Sequence, residues 1–133
     1  MTEPRTAIAL VLPFPPAALN PNRARTKHRM EVAGIAAAYR QECKIDSLNA
    51  RRYWEADGVV FPLKTPVLAR LKFVLSSRRR HDIDNLLSAF KPGLDGIVDA
   101  GLLADDDCWS LRLAIDIEKG GAQYLRVELE AAS

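Results

Sequence analysis

The chain reads as an α+β domain: a small mixed β-sheet with two main helices packed on it, in the order β-α-β-α-β-β. Three observations predict this class. Two short apolar runs, Ala7 to Pro13 and Val67 to Leu75, have the length and composition of strands. Two longer stretches, opening at Glu31 and near Asp84, space their apolar residues at helical intervals. Near the end, two alternating segments flank Lys119, Gly120 and Gly121, the pattern of a β-hairpin. The whole of 1–133 is expected to form a single domain, because 48% hydrophobic and 27% charged residues are a globular balance that argues against a disordered chain.

In order, AIALVLP (Ala7 to Pro13) is brief, apolar and stopped by prolines, so it is read as a largely buried first strand. From Phe14 to Met30, Pro15, Pro16, Pro21 and a basic cluster disfavour both helix and ladder pairing and predict a long loop, a place where function often resides. Glu31 to about Leu48 is alanine-rich and sets Val32, Ile35, Ala36, Tyr39 and Cys43 on one helical face. Asn49 to Thr65, interrupted by Gly58 and Pro62, gives no clear element, with Trp54 and Phe61 expected to cover the core. Val67 to Leu75 puts Arg70 and Lys72 on one face and Ala69, Leu71 and Phe73 on the other. As a strand it delivers Ser76, Ser77 and three arginines to its C-terminal end. After Asp84, Leu86, Leu87, Phe90, Leu94, Ile97 and Val98 follow helical spacing. Trp109 to Glu118 turns Leu111, Leu113, Ile115 and Ile117 to one side, and Gln123 to Leu129 alternates again as its hairpin partner.

No run approaches the roughly 18 to 20 apolar residues of a membrane span. The opening MTEPRTAIALVLPFPP lacks the basic start and small-residue cleavage site of a signal peptide, so no membrane association and a cytoplasmic location are expected. Cys43 and Cys108 have no metal-type spacing and are expected to be reduced structural residues.

The net charge of +2 argues little for nucleic acid, but its distribution argues more. Arg23, Arg25, Lys27 and Arg29 fall together with no acid among them, and Arg78, Arg79 and Arg80 form a second block. Read singly, each block is also what a solvated surface looks like. Against them stand Asp82, Asp84 and the run Asp105, Asp106, Asp107. An aspartate at a helix start suits an N-cap, yet one cap needs one carboxylate, and a second nearby adds repulsion unless a cation intervenes. Three adjacent aspartates in a short loop carry the same cost. If that loop returns beside the helix start, the carboxylates converge into an oxygen-rich site for a hard cation such as Mg²⁺. Lys91 lies on nearly the same helix face as Asp84, about 10 Å further along the axis, and is equally an i,i+4 partner for Asp95. Pro92 beside it removes a helix bond to Ser88 and is expected to kink the axis.

Taken together, D-x-D-N at Asp82 to Asn85, the amphipathic helix with its lysine, and D-A-G-x-L-x-D-D at Asp99 to Asp106 resemble the RusA family of Holliday junction resolvases of phages and prophages. L-P-F-P-P with Asn20 and the basic loop, Leu12 to Arg29, resembles the opening of that family. The resemblance covers most of the chain except about residues 46 to 66, and it is the ordered combination that is specific. It implies a homodimeric, Mg²⁺-dependent endonuclease, with Mn²⁺ as a substitute ion, that binds four-way DNA junctions and nicks two opposed strands in recombination and repair. It further implies Asp82, Asp84 and Asp106 as metal ligands with Asp105 in support, and Lys91 as a catalytic lysine. Arg23, Arg25, Lys27, Arg29, Arg78, Arg79, Arg80, His81 and Asn85 are expected to face the branched DNA. A two-fold dimer would match the junction's paired strands, its interface open between the edge at Tyr124 to Leu129 and the first strand. Two other classes stay open at this stage: a structure-specific DNA-binding protein that has lost cleavage, and a regulatory cation-binding module.

Overall fold

A computed structural model describes residues 7–24 and 28–132. Its elements are β1 (Ala7–Pro13), a 3₁₀ turn (Ala17–Leu19), a short helix α1 (Pro21–Ala24), α2 (Arg29–Ala56), β2 (Val67–Leu75), α3 (Ile83–Asp99), β3 (Leu111–Lys119) and β4 (Tyr124–Ala131). The four strands form one mixed sheet in the order β1-β4-β2-β3, and the α+β class expected from the sequence is the one observed.

Period-two alternation decides which side of the sheet is dry. Val67, Ala69, Leu71 and Phe73 of β2 are completely buried, as are Leu125, Val127 and Leu129 of β4. The opposite face carries Arg70 and Lys72, which pair with Glu130 at 3.4 Å and Glu118 at 3.7 Å. Both helices therefore lie on one side. Phe14, Phe73 and Phe90 stack edge to face at 6.2 and 6.3 Å, joining the loop after β1, the sheet and α3 through one core. Helix α2 is pinned to β1 at two heights, by Tyr39 Oη donating to Pro13 C=O at 2.7 Å and Trp54 Nε1 donating to Ala9 C=O at 3.1 Å. It also lies close against α3. A Cβ at Gly96 would stand 2.6 Å from the Arg40 carbonyl oxygen, so only glycine permits this approach.

Several expectations need correction. The β3–β4 hairpin does not form: β3 pairs in parallel with β2, while β4 lies between β1 and β2, antiparallel to both. Alternation reports which face is buried and says nothing of which neighbour a strand takes. The completely buried inner face of β4 earns a central slot, whereas Leu113 and Ile117 of β3 remain 40% and 42% exposed at the margin. The turn expected to fold β4 back on β3 instead carries the chain across the end of β2. Gly120 N–H donates to Leu75 C=O at 2.9 Å, and a Cβ there would meet Val74 Cγ1 at 2.6 Å. Tyr124 to Leu129 is thus interior, and the sheet edges are β1 and β3. Helix α2 starts at Arg29 and continues through Asn49–Ala56, and the expected loop contains the 3₁₀ turn and α1. Cys43 is buried as expected, its thiol pushed up to about 12 by burial, but Cys108 is exposed. Pro92 lies inside α3, as the sequence predicts. No helix among the described residues is long and apolar enough to cross a membrane.

Candidate active site at one end of the sheet

Strands β1 and β2 are both antiparallel to β4, and β3 is parallel to β2, so β1, β2 and β3 all end at the same side of the sheet. This topology brings distant basic segments together. Phe14 leaves β1 there, Ser76 to His81 leave β2, and Lys119 closes β3. A cleft of about 510 Å³ is lined by Phe14, Asn20 and Arg23 from the first segment and by Arg79, Arg80, His81 and Asn85 from the second. A second cleft of about 450 Å³ flanks the same arginine tract, setting Arg78 to Arg80 and Lys119 beside Ile83, Leu86 and Ile117. The tract therefore borders two clefts at once. Arg78, Arg79 and Arg80 are exposed, as is Arg29 at the first residue of α2. Arg25 and Lys27 lie outside the described residues. His28, next to them, caps α2 by accepting from Met30 N–H at Nδ1, 3.3 Å.

Directly after the tract, Asp82 occupies the N-cap position of α3 with extended φ/ψ of −80° and 133° but makes no side-chain cap bond. Its Oδ2 instead takes a long contact from Asn85 Nδ2 at 3.5 Å. Asp84 stands in the first turn, and both carboxylates are exposed beside the positive end of the helix dipole. The capping role open to Asp82 is thus not exercised, and the residue is exposed next in sequence to His81, which lines both clefts.

The three consecutive aspartates have three different engagements. Asp105 Oδ1 accepts from Asp106 N–H at 2.7 Å. Asp107 closes the turn into β3: Oδ1 accepts from Trp109 and Ser110 N–H at 2.8 and 3.0 Å, and Oδ2 from Ser110 Oγ at 2.9 Å. Those backbone and hydroxyl bonds hold its carboxyl below the usual carboxylate range. Asp106 reaches α3, where Lys91 Nζ donates to its Oδ2 and to Asp95 Oδ1 at 2.6 Å. The ammonium keeps the Asp106 carboxyl low, and the two carboxylates hold Lys91 above its ordinary value. Arg40 of α2 closes the cluster, forking onto Asp99 at 2.6 and 2.8 Å and approaching Asp95 at 3.9 Å.

The acidic loop therefore meets α3 at Lys91, whose ammonium bridges Asp106 and Asp95. Topology sets up this contact: α3 begins where β2 ends and runs back along the sheet, and the loop comes just before β3, whose first residue lies at the other end of the sheet. Among the described residues no three His, Cys, Asp or Glu side chains are grouped to hold a metal ion. Asp82 and Asp84 remain a pair of exposed oxygen donors, the type a hard cation takes one or two of while keeping several waters. Asp95 and Arg40 were not singled out as site residues from sequence. Asp95 was legible only as a local helix pair, and the α2 contribution depends on packing. No protein-family model matches the chain, and no curated protein matches it.

Proposed function

We propose that the protein is a divalent-metal-dependent endodeoxyribonuclease selective for branched DNA, resolving four-way junctions by paired nicks that leave 5′ phosphate and 3′ hydroxyl ends, and acting in the cytoplasm as a homodimer. The observation that carries this reading is the exposed arginine tract Arg78–Arg80, whose Arg79 and Arg80 share a cleft with Arg23, running in sequence directly into the uncapped Asp82 and Asp84. Phosphodiester DNA requires cations along its backbone and carboxylates where a metal must sit, and these are contiguous here. In this reading the basic residues position the backbone without reading bases, giving affinity that falls steeply with salt. Asp82 and Asp84 would hold Mg²⁺ or Mn²⁺, which when bound activates water and offsets charge on the phosphate. Asn85 contacts Asp82 at 3.5 Å, and Lys91 steadies Asp106 against α3.

A second reading, a junction-binding protein without cleavage, is favoured by the engagement of Asp106 Oδ2 by Lys91 Nζ, which competes with a metal for that carboxylate. Incubation of labelled four-way junction with the protein and Mg²⁺, beside Asp82→Asn, decides between them. Symmetric nicks that vanish in the variant while binding persists support the nuclease. Binding without nicks in either Mg²⁺ or Mn²⁺ supports the second reading. Equal cutting of linear duplex removes the junction selectivity.

A further inference from the structure

Strand β3 has β2 on one side and no strand on the other. Its even-numbered residues direct their backbone groups to β2, as Val67 N–H bonding to Ser110 C=O at 2.9 Å indicates, so the odd-numbered ones turn theirs outward. One outward amide, Ile117 N–H, is met by the neighbouring Asp116 Oδ1 at 2.9 Å. The odd side chains lie on the helix side of the sheet, but the helices stop short of the margin, leaving Leu113 40% and Ile117 42% exposed. Trp109, just before the strand, is 86% exposed.

The segment Leu111-Arg112-Leu113-Ala114-Ile115-Asp116-Ile117 is complementary to itself reversed. A two-fold axis at Ala114 sets Arg112 against Asp116 of a second copy, Leu113 against Ile115 and Leu111 against Ile117. The outward-facing odd residues then become the hydrogen-bonded pairs. The even ones become the closer pairs, about 4.5 Å between Cα atoms, where the small Ala114 fits at the axis. Neither Arg112 nor Asp116 has an ion-pair partner among the described residues, and Lys72, beside Asp116 in the register, is engaged by Glu118 at 3.7 Å. Moving the axis to Leu113 would leave Arg112 opposite Ala114 and Asp116 opposite Ser110, losing both charge pairs.

We propose that β3 pairs antiparallel with β3 of a second copy about an axis at Ala114, joining two four-stranded sheets into one of eight. On pairing, Ile117 N–H passes to a backbone carbonyl of the other copy, and the Asp116 carboxylate is released to Arg112 across the axis. This names the surface used by the homodimer of the nuclease reading, but it rests on strand geometry and stands or falls separately from cleavage.

The test is sedimentation of the full chain over micromolar concentrations for wild type, Arg112→Asp, Asp116→Arg and the double exchange. The expected result is a wild-type dimer, dissociation at least about tenfold easier in each single variant, and recovery to within about threefold in the double variant. In a Cys108→Ser background, Ala114→Cys should give a disulfide-linked dimer on mild oxidation. A chain monomeric throughout overturns the proposal, as does a dimer indifferent to both single exchanges or one that Ala114→Cys fails to link. A dimer with these properties that cuts no junction keeps the interface and removes the nuclease reading.

Discussion

Lys91 Nζ on α3 and Asp106 Oδ2 in the loop before β3 are hydrogen-bonded across fifteen residues of sequence, and the same ammonium holds Asp95 one turn along the helix. Since Lys91 is more than half exposed, this contact does little for stability and much for position. It draws one carboxylate of the acidic run onto the helix that begins at the arginine tract. Lys91→Ala should change the unfolding free energy by less than about 0.5 kcal/mol. It should lower junction cleavage by about a hundredfold if the ammonium serves the reaction. Denaturant melts and single-turnover nicking separate the two.

Asp82 stands at a helix N-cap without capping. Substituting a working cap aspartate by alanine typically costs about 1 kcal/mol, so Asp82→Ala should cost well under that while abolishing metal-dependent nicking. A full capping penalty together with retained nicking would return Asp82 to a structural role.

The shared cleft predicts additive electrostatics from two distant segments. Arg79→Ala and Arg23→Ala should each reduce the slope of log affinity against log salt by about 0.9, in sequence-independent fashion, as measured by junction binding at several salt concentrations.

Where α2 and α3 meet, Gly96→Ala forces a methyl group to 2.6 Å from the Arg40 carbonyl oxygen and 2.9 Å from Lys44 N. Because backbone, rather than a flexible side-chain tip, must move, the variant should lose about 1 to 3 kcal/mol in equilibrium unfolding.

Acid should loosen the same interface. The Arg40 fork lowers the Asp99 pKa below its ordinary 3.8. A carboxyl depressed in the folded state stabilises above its unfolded pKa, and that contribution is lost as pH falls through the lower folded value. Asp99→Asn should therefore be less stable than wild type at neutral pH and should flatten the fall of melting temperature below pH 3.8. A thermal melt series against pH checks both.

Much of this protein was legible locally. The bounds of β1 and β2, the amphipathic run of α3 and the dry face of each central strand follow from side-chain periodicity, because period depends only on the backbone geometry of one element. The separation of arginines from aspartates at Arg78 to Asp84 was likewise readable, since it is a property of neighbours in the chain. The ends of α2 were not, because Asn49–Ala56 mixes polar and aromatic residues whose helical state is secured by Trp54 reaching β1. Strand partners could not be read at all. Both β3 and β4 alternate well, and only competition for burial gave β4 the centre and left β3 at the margin. The same non-local packing decided the site: it joined Arg23 to Arg79 and Arg80 in one cleft, and it took Asp106 to Lys91. Sequence determines which residues seek an apolar side or carry a charge. Which of them meet depends on where all the elements can be buried together, and only the tertiary structure contains that solution.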